Sequence, residues 1–190
     1  MKILVVVDMQ NDFIDGVLGT PEAKKIVPNV VDKIKNCSGD TVVLFTKDTH
    51  YEDYLETQEG KNLPVKHCII VTHGWSINDD VSNAAKNFNG ALYSSMDVVN
   101  GRIIKETFGS TLLPFVIADI EESNKIDSIE LIGLDSDICV LTNALVLKTY
   151  FREIPIFVDA SCCAGVTPES HNNAMAAMKM CQINVTNWEN

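Results

Sequence analysis

Long apolar runs are missing from this 190-residue chain. The strongest, positions 3–7 (ILVVV), stops at Asp8, too short for a signal-peptide core or a membrane span, so a cytoplasmic protein with no membrane partner is expected. Basic charge is scarce as well. Fifteen Lys and Arg face 26 Asp and Glu, a formal charge of -11, and most of such a surface repels a phosphate backbone or an anionic lipid. Nucleic acid is therefore not an expected partner. Six cysteines in a chain this long are too few for a disulfide scaffold, and in a reducing compartment they stay thiols, each to be judged by its local context. No repeat, low-complexity tract or linker divides the chain, so one domain over 1–190 is expected, with apolar content sufficient for one sizeable core.

What is present is a series of short β-rich runs at 3–7, 41–46, 129–134, 154–158 and 183–185, separated by helical stretches. The runs are nearly continuous Val, Ile and Leu rather than alternating, as expected of strands covered by helices on both faces. The expected fold is a doubly wound parallel α/β sheet, three layers deep and Rossmann-like. Apolar positions 23, 26, 27, 30, 31 and 34 form one helical face, with Pro28 either near its start or kinking it, and Gly39 closes the segment. Thr167, Pro168 and Glu169 read as N-cap, first-turn proline and dipole-matched carboxylate of a helix running to Met180. The stretch 138–150 is apolar on nearly all sides and predicts a buried helix. Positions 48–67 are charged and aperiodic, a long loop leaving the carboxyl end of the second strand, where open α/β sheets bind ligands.

Two groups of residues at that edge carry chemistry. Asp8 ends the first strand and Cys139 opens the helix after the run 129–134, so both project from the same side of the sheet. A cysteine at a helix start feels the positive end of the dipole and free backbone N–H groups, which favour thiolate and anion. Position alone does not separate this from a buried structural thiol, the commoner state of cysteine. Asp48, His50 and His67, with Glu59 between them, have the residue types and spacing of an open divalent-metal site, although acidic loop residues are more often merely solvated.

Three words occur in order: DMQNDF at 8–13, KETFGS at 105–110 and GLDSDICV at 133–140. Together they resemble the isochorismatase-like cysteine hydrolases, a superfamily that includes nicotinamidases, isochorismatases and small-amide or carbamoyl hydrolases, and the resemblance covers essentially the whole chain. It implies a triad of Asp8, Lys105 and Cys139, in which the carboxylate carries the thiol proton and the lysine stabilises the anionic pair. It also implies a cis peptide between Leu134 and Asp135, with the N–H groups of Asp135 and Cys139 facing an oxyanion. The sequence departs from the family in having Asp135 and Ser136 where a small residue and threonine are usual.

The loop resembles the metal site of nicotinamidases, giving Asp48, His50 and His67 as ligands and Glu59 in preference to Glu56 as the fourth, with His73 as an outside candidate. Zinc is the expected ion, with iron and manganese as alternatives. Nicotinamidases stack the pyridine between a phenylalanine and a tryptophan; Phe13 matches the first, while Leu63, Pro64, Val65 and Lys66 replace the second, leaving Phe108 or Trp75 to form that wall. The remaining cysteines, Cys37, Cys162, Cys163 and Cys181, read as core packing. The implied reaction is amide hydrolysis through a cysteine thioester, with nicotinamide to nicotinate and ammonia leading. Another amide, ureido or carbamoyl compound, or an isochorismatase-type reaction, is the alternative, and a non-catalytic metal-dependent binding protein is the rival from another class. The expected partner is a small-molecule amide, and a homo-oligomer is compatible with the sequence.

Overall fold

The computed structural model describes every residue except 96, 97, 99 and 190. Among the described residues, seven parallel strands form one sheet: β1 (Lys2–Val7), β2 (Thr41–Asp48), β3 (Ala91–Leu92), β4 (Arg102–Lys105), β5 (Ser128–Gly133), β6 (Ile156–Cys163) and β7 (Asn184–Thr186). The order is β3-β2-β1-β5-β6-β7, with β4 also pairing β2 farther along its length. The doubly wound expectation therefore holds, but β3 and β4 were not among the predicted strands. Both are short, and β4 lacks a sustained apolar run, so neither has a sequence signal that separates it from loop.

Side chains alternate across the sheet and feed two cores. Ile3, Val5 and Val7 of β1 pack with α5 (Leu113–Ser123), α6 (Leu141–Tyr150) and α7 (Pro168–Met180). Leu4 and Val6 face α2 (Pro21–Lys35) and α4 (Asp79–Lys86), through Ala23, Ile26, Val30, Ile34, Val81 and Ala84. Pro28 lies inside α2, and the Thr20 hydroxyl caps the helix by accepting from the Ala23 N–H at 3.0 Å. At α7 the Thr167 and Ser170 side chains form a reciprocal capping box behind Pro168.

Three expectations need correction. The 48–67 segment is not wholly irregular: it holds a 3₁₀ turn at Tyr54–Glu56 and the short α3 (Gln58–Asn62), the latter capped by Thr57. The apolar helix at 138–150 is not buried all round, because α6 turns Asn143, Ala144 and Leu147 inward while Leu141, Leu145 and Val146 are partly exposed and Tyr150 is exposed. Nor are all the spare cysteines core residues, since Cys181 is exposed and Cys37 half-buried. Among the described residues no helix is long and apolar enough to cross a membrane.

Candidate active site

The carboxyl ends of β1, β2, β4 and β5 deliver the charged residues to one point. Register places Asp48 opposite Lys105 and Val7 opposite Gly133. Gly133 has φ of +118°, and a Cβ there would lie 2.1 Å from the Val7 carbonyl oxygen, so the close strand approach requires glycine. Asp8, just past β1, adopts φ of 45°, and its carboxylate accepts from the Thr46 hydroxyl at 2.7 Å. The peptide between Leu134 and Asp135 is cis, as the resemblance implied. Cys139 is not at a plain helix start. It lies in a π turn (Ser136–Val140) that runs into α6, in which Val140 N–H reaches back to the Asp135 carbonyl at 3.0 Å.

Lys105 joins the groups. Its ammonium is 2.7 Å from Asp8 Oδ2, 3.1 Å from Asp48 Oδ1 and 3.7 Å from Cys139 Sγ. All four side chains are buried, so water does little to screen the charges. Burial disfavours the lysine ammonium, but Asp8, Cys139 and Asp48 outweigh it and hold Lys105 well above its ordinary pKa. Asp8 goes the other way: burial raises its carboxyl, and the opposing pull of Lys105 does not bring it back to the ordinary value. Burial also raises the Cys139 thiol, which Lys105 opposes and the carboxylates of Asp8, Asp48 and Asp135 reinforce. A thiol beside a buried carboxyl of raised pKa and a fixed cation is an arrangement suited to proton exchange between sulfur and oxygen.

Asp48 belongs to a second cluster as well. Its Oδ1 pairs with Lys105, while its Oδ2 lies 2.9 Å from His50 Nε2 and 3.4 Å from His67 Nε2. Burial would raise this carboxyl, but Lys105 and the two imidazoles overcome it and hold it well below the usual range. One donor atom from each of Asp48, His50 and His67 lies within 4.8 Å of the others. His50 Nε2, although 2.9 Å from Asp48 Oδ2, is buried and makes no hydrogen bond, and His67 Nδ1 is 2.8 Å from the Val65 carbonyl. That bond orients the His67 ring, so that on loss of its other proton Nε2 offers a lone pair beside Asp48. An orphaned imidazole nitrogen, an oriented second imidazole and a carboxylate fit a divalent ion such as zinc. Glu59 Oε1 is 3.4 Å from His50 Nε2 and can complete the set. Neither Glu56 nor His73 is among these groups; the His73 ring nitrogen instead meets Asn11 Nδ2 at 3.3 Å.

Beside both clusters opens a cavity of about 180 Å³, lined by Asp48, Glu59, His67, Asp135 and Cys139 and by apolar side chains. Phe13 and Phe108 both line it. Trp75 does not: its indole N–H donates to Thr49 Oγ1 at 2.8 Å and the Lys47 ammonium covers its ring. The wall is completed by Leu18, Leu63, Ile138 and Val166, four residues from separate segments that no local pattern brings together. Asp135 carries a carboxyl pushed up to about 7 by burial and by Asp137 and Asp8.

Supporting residues also went unread. Gln10 clamps the Asp48 backbone, accepting its N–H at 2.7 Å and donating to its carbonyl at 2.8 Å. Asp12 accepts the Cys68 N–H at 2.7 Å and so fixes the turn after His67. Both lie in the DMQNDF word, where polar residues closely following the strand-ending aspartate were the available signal. Asn143 ties Phe108 to the turn that carries Cys139, donating to the carbonyls of Phe108 at 3.2 Å and Cys139 at 2.8 Å.

Comparison with known proteins is consistent with this geometry. The isochorismatase domain model matches residues 2–190. Among solved structures, a pyrazinamidase of Pyrococcus horikoshii in complex with zinc is 24% identical, with 98% of this chain and 99% of that chain covered and a TM-score of 0.69. A nicotinamidase from Bacillus subtilis is 23% identical over 97% and 98% of the two chains, with a TM-score of 0.76. An N-carbamoylsarcosine amidase from Thermoplasma acidophilum is 28% identical over 97% and 94%, with a TM-score of 0.65. The first two likenesses are likenesses of fold. A search of the curated proteins by sequence gave no match.

Proposed function

Since this chain belongs to the isochorismatase domain family, we propose that it is an amide hydrolase working through a thioester on Cys139, with nicotinamide as the leading substrate. The observation that carries the reading is the meeting of Asp8 and Lys105 with Cys139, which itself lines a small cavity with apolar walls. Asp8 takes the thiol proton, and the thiolate, held by the Lys105 ammonium, attacks the amide carbonyl carbon. The oxyanion is received by the N–H groups of Asp135 and Cys139, and lone-pair return expels the amine, which leaves as ammonia with the proton from Asp8. Water then attacks the thioester, Asp8 accepts its proton, and the acid departs as the proton returns to sulfur.

Asp48, His50 and His67, with Glu59, would hold a divalent ion. When bound, that ion supplies a positive anchor for a ring nitrogen or a water at the cavity wall. The cavity is below the ~300–1,000 Å³ typical of drug-sized ligands, which suits a compact substrate. Its polar lining holds several carboxyl groups, with Lys105 already paired behind them, so a neutral amide is preferred over a carboxylate-bearing one such as isochorismate. Phe13 offers a face on which a planar ring can stack.

A second reading, hydrolysis of a ureido or carbamoyl compound, is favoured by the 28% identity with a structure described as an N-carbamoylsarcosine amidase and by the absence of a tryptophan wall. Ammonia release across a panel of small amides, with metal content measured on the same sample, tests both. Nicotinamide is expected to be the best substrate and Cys139→Ala to be folded and inactive. Release from aliphatic or ureido amides but not from nicotinamide would transfer the assignment to the second reading.

A further inference from the structure

Behind the nucleophile turn lies an array that the proposed chemistry does not use. Ser136 is fully buried, its N–H donates to the Ala164 carbonyl at 2.8 Å, and its Oγ is 2.9 Å from His171 Nδ1. The neighbouring Asp137 accepts the Val166 N–H at 3.2 and 3.3 Å. Gly165 lies between these contacts: a Cβ there would be 3.0 Å from Ser136 Oγ, 3.0 Å from His171 N and 3.1 Å from Asp137 Cγ. The loop joining β6 to α7 is thus closed onto the turn so tightly that a side chain there would have to displace its neighbours by a few tenths of an ångström. His171 itself is anchored, because it sits in the first turn of α7 and its N–H donates to the carbonyl of the N-cap Thr167 at 2.9 Å.

Serine, histidine and aspartate in one array suggest a nucleophile, but Ser136 is sealed from the substrate cavity and is not part of its lining. The imidazole does not line that cavity either; it borders a separate one of about 250 Å³ between α2, β6 and α7. We infer that His171 is a positioning residue, fixing through the Ser136 hydroxyl the turn that carries Cys139 and the N–H of Asp135. Burial holds the imidazole below its ordinary pKa against the opposing charge of Asp137, so at neutral pH the ring is uncharged and its Nδ1 can accept the hydroxyl proton. The inference rests on Cys139 being the nucleophile, because only then does the turn geometry govern the reaction.

The test compares wild type with His171→Ala, His171→Asn, Ser136→Ala and the double variant Ser136→Ala/His171→Ala, each checked for folding by its unfolding transition. Two quantities are measured: the rate of iodoacetamide alkylation at Cys139, followed by peptide mass mapping, and kcat and KM on the best amide. His171→Ala and Ser136→Ala are expected to slow both alkylation and kcat by about 10- to 100-fold, the scale of a small misplacement of reacting groups, with KM little changed. His171→Asn, whose Oδ1 can take the place of Nδ1, should recover most of the loss, and the double variant should be no slower than the slower single one. Wild-type or raised alkylation in both single variants, multiplying effects in the double, or no recovery with asparagine would overturn the inference. A wild type alkylated elsewhere than at Cys139 would sink the nucleophile assignment and this inference with it. Absence of ammonia from every amide, with alkylation still governed by His171, would instead sink only the substrate reading.

Discussion

Two lysines in this protein each sit between two carboxylates, and their surroundings turn the same three charges to different ends. Lys33 lies 2.7 Å from Glu130 and 2.8 Å from Asp159; Lys105 lies 2.7 Å from Asp8 and 3.1 Å from Asp48. The Lys33 side chain keeps 29% of its exposure and the Lys105 side chain 1%. At Lys33, burial opposes the ammonium but the pairing overcomes it, and Asp159, which burial would raise, is instead lowered by Lys33, Asn187 and Ser161. Lys33 and Asp159 are both held in their charged forms, which makes the trio a structural tie between α2 and the sheet. At Lys105 the cation is likewise held, yet Asp8 is raised because burial exceeds what one shared lysine returns. A charge cluster with access to water stores stability, whereas one without it leaves a carboxyl ready to exchange a proton with the neighbouring thiol.

Exchanging each lysine for methionine breaks the comparison most sharply. Lys105→Met is expected to lower turnover by about 10²- to 10³-fold, the scale of losing a preorganised charge, while Lys33→Met leaves turnover at the wild-type level. Lys105→Met should also cost ~3–5 kcal/mol of stability at neutral pH, since it strands buried carboxylates without their cation. That deficit should shrink as the pH falls, because a protonated Asp8 needs no cation. Paired denaturation and kinetic measurements check both halves, and near-normal turnover in folded Lys105→Met would remove the lysine from the mechanism.

A smaller effect sharpens the role of Asp48, which faces Lys105 with one oxygen and the imidazoles with the other. Zinc at a hundredfold excess over its dissociation constant should stabilise the wild type by about 2.7 kcal/mol. His50→Ala should abolish that gain. Thermal unfolding with and without added metal, supported by elemental analysis, reads the outcome; an unfolding temperature indifferent to zinc, manganese and iron would make these residues an ordinary polar cluster.

The smallest effect belongs to Lys33→Met, about 1 kcal/mol for a partly exposed pair. Its pH dependence has a definite sign. Asp159 is lowered by its partners, so its contribution is present above the unfolded carboxylate pKa and is lost as pH falls through the folded value. Lys33 is raised, so its contribution is present below the unfolded lysine pKa and is lost as pH rises through the folded value. The gap in stability between wild type and Lys33→Met should therefore be flat between about pH 5 and 10 and close on the acid side. A gap that widened in acid would reject the pairing.

The sheet was legible because β1, β2 and β5 are continuous apolar runs, and the cap of α7 because Thr167 and Pro168 have local chemistry. β4 was not, although it delivers Lys105: four residues with one buried isoleucine carry no periodicity, and only the KETFGS word marked the place. The cluster of Asp48, His50 and His67 was readable from residue type and spacing, while the nearness of Glu59 rather than Glu56 to His50 needed the short α3. Trp75 was a reasonable wall by residue type, but its ring and N–H are already engaged by Lys47 and Thr49. The π turn at Cys139, the sharing of Asp48 between two clusters and the contact of Ser136 with His171 all join distant segments, and no local pattern encodes them.

Hydrolysis through a thioester requires that the thiol of Cys139 become covalently acylated during turnover. Acid quenching of the wild-type enzyme with its best amide, followed by peptide mass mapping, measures this directly. The acyl group of the substrate is expected on the peptide containing Cys139 and on no other cysteine peptide, and is expected to be absent when substrate is omitted. Sustained ammonia release from Cys139→Ala, or an acyl group residing on Cys68 or Cys163 instead, would contradict hydrolysis through Cys139.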